Sequence, residues 1–316
     1  MDAKILISVE RLCRYYGHHL AVEDISFELA QGEVLGFLGP NGAGKSTTMQ
    51  MITGNLAPSA GRILINGIDI LDAPKRAKAE IGYLPEQPPV YRDLTVDEYL
   101  YYCAKLHRVS KDQRSQVIAR AKDRCGLAAV SKRLIANLSK GFQQRVGIAQ
   151  AILHSPAVVI LDEPTVGLDP NQIRDIRALI RELGESHGII LSTHILPEVQ
   201  ATCTRVQIIH QGRLVFSESM QELERRLTSH VLLLETRQPL DDAKLENLPE
   251  IDNVERISET RARLHFAENN PADAVAACVA DQDWGLVELS LDRQTLEQVF
   301  VDLTCSDVPQ TDRASS

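Results

Sequence analysis

The sequence predicts an α/β protein with a mixed or parallel central sheet, an inserted helical subdomain and a small α+β domain towards its C-terminal end. Three observations predict this class: short apolar runs suited to buried strands, helix-forming segments between them, and a glycine-rich turn that joins a strand to a helix. The 316 residues are 44% hydrophobic and 24% charged, a composition typical of globular proteins. The length allows one large core and a smaller one.

The strands of the larger domain are predicted from apolar alternation and from apolar runs bounded by glycine. They lie at residues 5–9, 25–29, 34–38, 157–161, 188–192, 206–210 and 214–217. A helical pattern at 45–52 follows the third strand, and residues 93 to about 150 are mostly helix-forming. We therefore expect a domain over residues 1–224 that contains a helical subdomain at about 93–150.

A new pattern begins near residue 225 and predicts a second domain over 225–304. Strands are predicted at 231–235, 254–258, 263–266 and 286–291, and helices near 241–248, 271–280 and 295–303. The order β, α, β, β, α, β, α predicts a ferredoxin-like α+β plan. No catalytic spacing occurs there, and Trp284 fits a core position or a strand start better than a ligand. The polar segment 305–316 is expected to be disordered.

Composition excludes several classes of function. A net charge of −9 argues against a general binder of nucleic-acid backbones, which depends on clustered Lys and Arg. The six cysteines form no C-x-x-C pair, so neither a zinc site nor a disulfide framework is indicated. The N-terminus lacks a secretory signal, and no apolar run reaches the roughly eighteen residues of a membrane span. We therefore expect a protein of the cytosol that crosses no membrane itself.

A glycine-rich motif lies between the third strand and its helix. It consists of Gly39, Pro40, Asn41, Gly42, Ala43, Gly44, Lys45, Ser46 and Thr47, which fit the pattern G-x-x-x-x-G-K-[ST]. Such a loop turns its N–H groups inward around a polyphosphate. Lys45 is predicted to neutralise the β and γ phosphates, and Ser46 to offer its hydroxyl to Mg²⁺. An ordinary glycine-rich turn is the alternative.

The apolar strand at 157–161 is followed by two acids, Asp162 and Glu163. In an α/β sheet this end of the strand lies beside the phosphate loop. Asp162 is predicted to hold Mg²⁺, directly or through water, and Glu163 to orient or deprotonate the water that attacks the γ-phosphate. A solvated strand end is the alternative interpretation.

A further motif identifies a family resemblance. Leu138, Ser139, Lys140, Gly141, Phe142 and Gln143 precede the acidic pair and resemble the L-S-G-G-Q signature of ABC ATPases. Gly167-Leu168-Asp169 and His194 follow in the order of that family, so the resemblance covers about residues 5 to 220. It implies the P-loop NTPase fold of ABC ATPases, with ATP and Mg²⁺ as cofactors.

The resemblance also implies roles for individual residues across two copies of the chain. Ser139 and Gly141 are expected to reach the γ-phosphate held by the other subunit, and Asp169 to couple the two sites. Without its neighbours in the series, Asp169 would predict only the start of a helix, and a lone histidine such as His194 would more often be structural. His194 resembles the switch histidine that contacts the γ-phosphate.

The same resemblance predicts the adenine contact. Tyr16, with Val22 following, resembles the aromatic loop that stacks on adenine, and Tyr15 is the less favoured of the two tyrosines for this role.

Two positions depart from the family pattern. Glu86 lies where many relatives have the glutamine of the Q-loop, and it remains a candidate oxygen ligand for Mg²⁺, while Gln87 is the alternative Q-loop residue. Lys140 and Phe142 replace a glycine and a glutamine of the signature.

The resemblance implies a motor subunit at the inner face of the cell membrane. This subunit would power transport, with export favoured, through a separate integral-membrane permease.

Five of the seven tyrosines fall within twenty residues of the sequence: Tyr83, Tyr91, Tyr99, Tyr101 and Tyr102. Aromatic anchors suit a groove that receives a permease helix, although core packing of the subdomain would explain these tyrosines equally.

Because the signature and the catalytic glutamate are both intact, a homodimer is favoured. A non-transport ABC ATPase acting on the ribosome or DNA is the alternative function, and a regulator without turnover is less favoured.

Overall fold

The computed structural model describes residues 4–227, 230–267, 269–292, 298 and 300. The chain divides into two compact units, of which the first ends at Met220 and the second begins at Gln221. The helix at Met220–Leu227 spans this division, and the predicted boundary after residue 224 lies within the same helix.

The first unit contains ten strands and eight helices within the described residues, counting the helix that spans the division. The strands are β1 (Ile5–Tyr16), β2 (His19–Ala30), β3 (Val34–Leu38), β4 (Ala60–Ile65), β5 (Ile68–Asp69), β6 (Ile81–Leu84), β7 (Val158–Asp162), β8 (Gly188–Thr193), β9 (Arg205–His210) and β10 (Arg213–Ser219). The helices are α1 (Lys45–Ile52), α2 (Pro74–Ala79), α3 (Val96–Leu106), α4 (Lys111–Arg124), α5 (Lys140–Ile152), α6 (Pro170–Gly184), α7 (Leu196–Thr202) and α8 (Met220–Leu227).

A six-stranded sheet with the order β10-β9-β3-β8-β7-β6 forms the centre of this unit. All neighbouring pairs are parallel except β9 and β10, which form an antiparallel hairpin. Every residue of β3, β7 and β8 is buried. Strands covered on both faces need continuous apolar runs, which explains why these strands were predictable from their sequence.

A second sheet with the order β2-β1-β4-β5 is antiparallel and packs its apolar face towards the first. Phe27 of β2 contacts Phe37 of β3, with ring centroids 5.9 Å apart, and α1 contributes Met49 and Ile52 to the same core. The prediction ended the first strand at Val9, but β1 continues to Tyr16. The pairing of β1 with β2 shifts register after Val9, and Arg11 has φ 47°, so a bulge hides the alternation there.

The helical subdomain predicted at about 93–150 contains α3, α4 and α5, with 3₁₀ turns at Ala128–Val130 and Ile135–Asn137. Thr95 caps α3 in a capping box with Glu98. Within the described parts of the chain, no helix combines the length and apolar character needed to span a membrane.

The second unit contains an antiparallel sheet with the order β12-β13-β11-β14, formed by β11 (Val231–Thr236), β12 (Asn253–Ser258), β13 (Arg261–His265) and β14 (Leu286–Leu291). The helices α9 (Asp242–Glu246) and α10 (Ala272–Asp281) lie between strands in the order β, α, β, β, α, β. This order and pairing match the predicted ferredoxin-like plan. Trp284 is buried in the apolar core of this unit. The predicted disordered tail lies outside the described residues, and so does the predicted last helix at 295–303 apart from residues 298 and 300.

Candidate nucleotide site

The phosphate loop connects the buried strand β3 to α1 with backbone angles that glycine allows. Gly44 has φ 106°, and a Cβ atom there would lie 2.8 Å from the backbone oxygen of Ala21. A Cβ atom on Gly39 would lie 2.4 Å from the backbone oxygen of Ile209. Neither position has room for a side chain. The loop can therefore bring its backbone close to a bound phosphate only because these residues are glycines.

Lys45 is the first residue of α1, and its side chain folds back over the loop. Its Nζ donates to the backbone oxygens of Gly39 at 2.8 Å and Pro40 at 3.2 Å. Only 6% of the residue is exposed. Burial lowers the pKa of Lys45, while the neighbouring charges of Glu163 and Asp162 oppose that change. A buried cation at a helix N-terminus is arranged to hold an anion.

Asp162 and Glu163 occupy the end of β7, as the sequence predicts, and both are buried. Burial raises the pKa of Asp162, and the charge of Glu163 raises it further. Oδ1 of Asp162 is buried without a hydrogen-bond partner. Because an ionised carboxylate oxygen needs a donor or a cation when it is buried, this atom is available to a metal-bound water or a metal ion.

Glu163 lies between two groups of the phosphate site. Its Oε1 is 3.7 Å from Nζ of Lys45 and 2.9 Å from Nδ1 of His194. The backbone of Glu163 has φ 49°, an uncommon conformation for a residue with a side chain. Its N–H donates to the backbone oxygen of Ser192 at 2.8 Å. The turn out of β7 thus directs this carboxylate towards the loop.

The side chain of His194 is 40% exposed, just beyond the end of β8. Since β7 and β8 are parallel neighbours, with Asp162 beside Ser192, their carboxyl ends bring Glu163 and His194 together. The preceding residue, Thr193, is fully buried and also contacts Glu163. The predicted catalytic pair, Glu163 and His194, is therefore in direct contact.

One cavity of about 480 Å³ joins these groups. It is lined by Tyr16, His19, Ala21, Asn41, Gly42, Gly44, Lys45, Ser46, Thr47, Glu86, Glu163, Val166 and His194. Ten of these thirteen residues were predicted from the sequence as site residues. Their convergence on one cavity makes it the candidate nucleotide site.

Tyr16 lines the same cavity and is half-exposed, and Arg14 lies over its ring at 4.8 Å. Tyr15 does not line the cavity. Val22 and Ala43 are buried instead of lining it, and Val22 supports the loop from behind, close to Gly44. His19 and Ala21 were not predicted. The hairpin places His19 directly opposite Tyr16, a juxtaposition that the two intervening turn residues signal in the sequence.

Glu86 and Gln87 occupy different positions. Glu86 lines both the nucleotide cavity and a neighbouring cavity of about 360 Å³, whereas Gln87 lines only the neighbour. The negative charge of Glu86 also acts on Lys45, whose pKa it tends to raise. Of the two alternatives that the sequence left open, Glu86 is the one that faces the phosphate loop.

The signature residues lie outside the cavity of their own chain. Ser139 is exposed and caps α5, accepting a hydrogen bond from the N–H of Phe142 at 3.4 Å. Gly141 is buried, and a Cβ atom there would lie 2.5 Å from Oε1 of Gln172. Ser139 therefore lies at the solvent-exposed start of α5, while Gly141 is covered by Gln172.

Asp169 also lies outside the cavity, at the start of α6. Its Oδ1 accepts hydrogen bonds from the N–H groups of Asn171 and Gln172, each at 3.0 Å. This is an N-terminal cap, which accounts for Asp169 within one chain. Val166, three residues earlier, lines the cavity; it was not predicted because no motif marks it.

No group of three or more His, Cys, Asp or Glu residues is arranged as a metal site in the part of the chain that the structure describes. Mg²⁺ beside a nucleotide does not need such a group, since it takes one or two protein oxygens, waters and phosphate oxygens. Ser46 lines the cavity, and Oδ1 of Asp162 is buried without a hydrogen-bond partner. These residues fit the ion.

The parallel sheet, the glycine-rich loop at its carboxyl edge and the cavity around Lys45 define a P-loop ATPase. A family model described as ABC transporter matches residues 22–166. An uncharacterized ABC transporter ATP-binding protein of Bacillus subtilis, YxlF, is 35% identical over 296 residues, covering 94% of this chain and 98% of that protein. The linearmycin resistance ATP-binding protein LnrL of the same organism is 30% identical and covers 95% of this chain and 98% of its own length.

A solved ATP-binding subunit of an ABC transporter has the same fold, with a TM-score of 0.64 and 33% identity, covering 70% of this chain and 92% of the other. The chain belongs to the ABC transporter family, as one of its ATP-binding subunits. Members of this family bind and hydrolyse ATP. Their ATP-binding subunits dimerise and work with membrane permeases.

Proposed function

We propose that two copies of this chain bind Mg²⁺ and ATP between them and use hydrolysis to drive export through a separate membrane permease. The observation that carries the chemistry is the contact of Glu163 with both Lys45 and His194 at the cavity lined by the phosphate loop. Those three side chains occupy the positions needed to hold a γ-phosphate and to act on a water beside it.

In this proposal the phosphate loop and Lys45 bind the triphosphate. Asn41, Gly42, Ala43, Gly44 and Thr47 supply loop backbone, and Lys45 exchanges its contacts to Gly39 and Pro40 for phosphate oxygens. Ser46 and Asp162, with Glu86 nearby, would hold Mg²⁺, which neutralises phosphate charge when it is bound. Tyr16 stacks on adenine, and Val22 keeps its position through the packing behind the loop.

Glu163 is proposed as the group that orients and deprotonates the attacking water. Its Oε1 is engaged by His194, and its side chain is buried, so its carboxylate has a fixed direction before nucleotide binds. His194 is exposed enough to reach a γ-phosphate. Because phosphoryl transfer depends mainly on positioning and on charge stabilisation, this preformed pair is the chemical centre of the site.

Ser139 and Gly141 are proposed to complete the site of the second copy, and Asp169 to lie at the interface between the copies. This proposal is supported by the exposure of Ser139 and by its position outside the cavity of its own chain. The first turn of α5 offers N–H donors and a positive dipole end to an anion. A phosphate on a second chain is a suitable anion.

The test is Glu163→Gln, which keeps the size of the side chain and removes its basicity. We expect ATP turnover to fall by about two to three orders of magnitude, while ATP binding persists and a dimer accumulates. Mass measurement at several protein concentrations, with and without Mg²⁺ and ATP, detects that dimer. Retention of the parent rate would show that Glu163 does not activate water.

The permease is proposed to dock on the aromatic surface formed by Tyr91 and Tyr102, next to Val90 and Leu94, while Tyr101 contacts Lys105 and Arg114 instead. Tyr91 is 53% exposed and lies edge-on to Tyr102, with centroids 5.4 Å apart. Tyr99, in contrast, is buried and donates to the backbone oxygen of Pro89 at 3.0 Å. The cluster therefore divides into a buried anchor and exposed rings, which fits a docking surface.

Tyr91→Glu tests this surface. We expect the variant to retain ATP affinity and basal turnover, and to lose association with the permease by about tenfold or more. Co-purification with the membrane protein encoded alongside this chain measures the association, and Tyr15→Glu, an exposed tyrosine of β1, is the matched control. Unchanged association of Tyr91→Glu would place the docking surface elsewhere.

Export is proposed because a full-length relative is named for resistance to linearmycin. The location follows from the partner: an ATPase at the cytoplasmic face of the membrane that holds the permease. Action on the ribosome or on DNA is less well supported, because the net charge of −9 does not favour binding to phosphate backbones.

A further inference from the structure

Glu198 is a buried acid with no place in the site described above. It lies in the first turn of α7, and only 1% of the residue is exposed. Among the described residues, no Lys, Arg or His lies within ion-pair distance of it. A buried carboxylate without a cation costs free energy unless hydrogen-bond donors surround it. Its partners therefore indicate why an acid occupies this position.

Two threonine hydroxyls provide those donors, and each belongs to a different segment of the nucleotide site. Thr165 donates to Oε1 of Glu198, and Thr193 donates to Oε2 at 2.9 Å. Both threonines are buried. Thr165 lies two residues after Glu163 and one before Val166, which lines the cavity, while Thr193 ends β8 and directly precedes His194. One carboxylate thus joins the loop after β7 to the end of β8.

The Thr193 hydroxyl lies between two carboxylates. Its Oγ1 is 2.9 Å from Oε2 of Glu198 and 3.4 Å from Oε2 of Glu163. The N–H of Ile195 donates to the same oxygen at 3.1 Å, which fixes the hydroxyl in place. Since a hydroxyl has one proton, the nearer Glu198 takes it. Oε2 of Glu163 therefore keeps its lone pairs, while Oε1 is held by His194.

We propose that Glu198 is a positioning residue for ATP hydrolysis, which fixes the loops of Glu163 and His194 through Thr165 and Thr193. The inference rests on the proposed role of Glu163. Glu198 touches neither the cavity nor the reacting atoms, and its effect passes through the two threonines. By drawing the Thr193 proton towards itself, it leaves one oxygen of Glu163 free to accept a proton from water.

Glu198→Gln is the main test because it preserves volume. The amide nitrogen would donate to Thr193, whose hydroxyl would then turn its proton towards Glu163. We expect kcat to fall by about tenfold while KM for ATP stays within about threefold. Thr165→Val, which removes the other hydrogen bond, should lower kcat in the same way, and Thr165→Ser, which keeps the hydroxyl, should retain the parent kcat.

Val199→Ala is the matched control for a merely structural effect. Val199 is buried on the same helix, packs close to Gly36 in β3 and has no polar side-chain atom to bond either threonine. This variant should lose thermal stability, measured as Tm, yet keep kcat within about twofold of the parent. Glu198→Gln and Thr165→Val should lose much more kcat than Val199→Ala does for the same loss of Tm.

Two results would overturn the assignment of Glu198. One is a parent-like kcat in both Glu198→Gln and Thr165→Val. The other is a loss of kcat in Val199→Ala as large as theirs at an equal loss of Tm. Lys45→Ala, measured in parallel, separates these results from failure of the proposed function: if it retained turnover, the assignment of the phosphate site itself would be wrong.

Discussion

At the carboxyl edge of the six-stranded sheet, polar side chains from three segments contact one another, whereas at the first turn of α5 they face solvent. Lys45, Glu163 and His194 belong to three segments and are linked within 3.7 Å. Ser139 bonds only to the backbone of its own helix among the hydrogen bonds described. The difference supports the proposal that one chain supplies the phosphate loop and the catalytic pair, while the exposed first turn of α5 serves the site of a partner chain.

The largest expected effect comes from two variants, one of which damages the phosphate loop and the other the first turn of α5. Lys45→Ala removes the phosphate-binding cation, and Ser139→Asp keeps a good helix cap while placing negative charge at the exposed turn. Each variant alone should lose at least about a hundredfold in ATP turnover. Mixed, they should recover about a quarter of the parent rate, because a mixed dimer contains one undamaged composite site.

Steady-state ATPase measurements on the two variants, alone and mixed in equal amounts, test this comparison directly. The control is a mixture of Lys45→Ala with Lys45→Ala/Ser139→Asp, in which no undamaged site can form. If the first mixture were as inactive as the control, the phosphate loop and the first turn of α5 would not serve one site from different chains.

A smaller effect is expected at Glu86, which adds negative charge to the nucleotide cavity around Lys45. Glu86 is exposed at the cavity, and its negative charge opposes a polyphosphate. In the absence of Mg²⁺, Glu86→Gln should tighten ATP binding by about threefold at low salt, with a smaller change at high salt because exposed charges are screened. Titration of a fluorescent ATP analogue gives Kd. Gln87→Ala, which alters only the neighbouring cavity, should leave Kd at its parent value; the reverse pattern would make Gln87 the sensing residue.

An effect on stability, not on nucleotide binding, is expected just beyond the end of α5, where His154 stacks on His107 with ring centroids 3.9 Å apart. Burial lowers the pKa of His154 to about 4. The unfolded chain, with an ordinary histidine pKa near 6.5, binds more protons between these values, so stability is lost as pH falls from about 6.5 to about 4. The loss should reach about 2 kcal/mol after allowance for partial exposure.

Urea unfolding between pH 7 and pH 4 measures this slope. His154→Gln keeps a donor for the backbone oxygen of Ile81, which His154 contacts at 3.1 Å, and cannot titrate. Its stability should therefore change less with pH than that of the parent. An equal slope in both proteins would assign the acid sensitivity to other groups.

The sequence predicts the residues of the nucleotide cavity well because they lie in contiguous motifs. β3 and α1 occur at the predicted residues, since five apolar residues precede the loop and no breaker interrupts the helix. Glu163 and His194 follow buried parallel strands, and such strands end at one edge of the sheet. The four strands of the second unit were predictable for a related reason, because turn residues separate short apolar runs.

What the sequence did not predict depends on tertiary contacts. His19 enters the cavity through hairpin register, and Val166 through the path of a loop. β6 is short and mixed in composition, and it is identified by its pairing with β7. Glu198 lies in a segment that shows only an ordinary helical pattern. Its two hydroxyl partners lie 33 and 5 residues away, a distribution that no local pattern encodes.

The positive φ of Glu163 has an evolutionary consequence. A residue with a side chain is strained at φ 49°, whereas glycine and asparagine adopt this angle with little cost. Replacing the acid by either residue would relax the backbone while removing the carboxylate that we propose as the base. In one copy of a duplicated gene, a single change at this position would therefore ease the backbone as it silences the site, which is a short route to paired subunits with one active site.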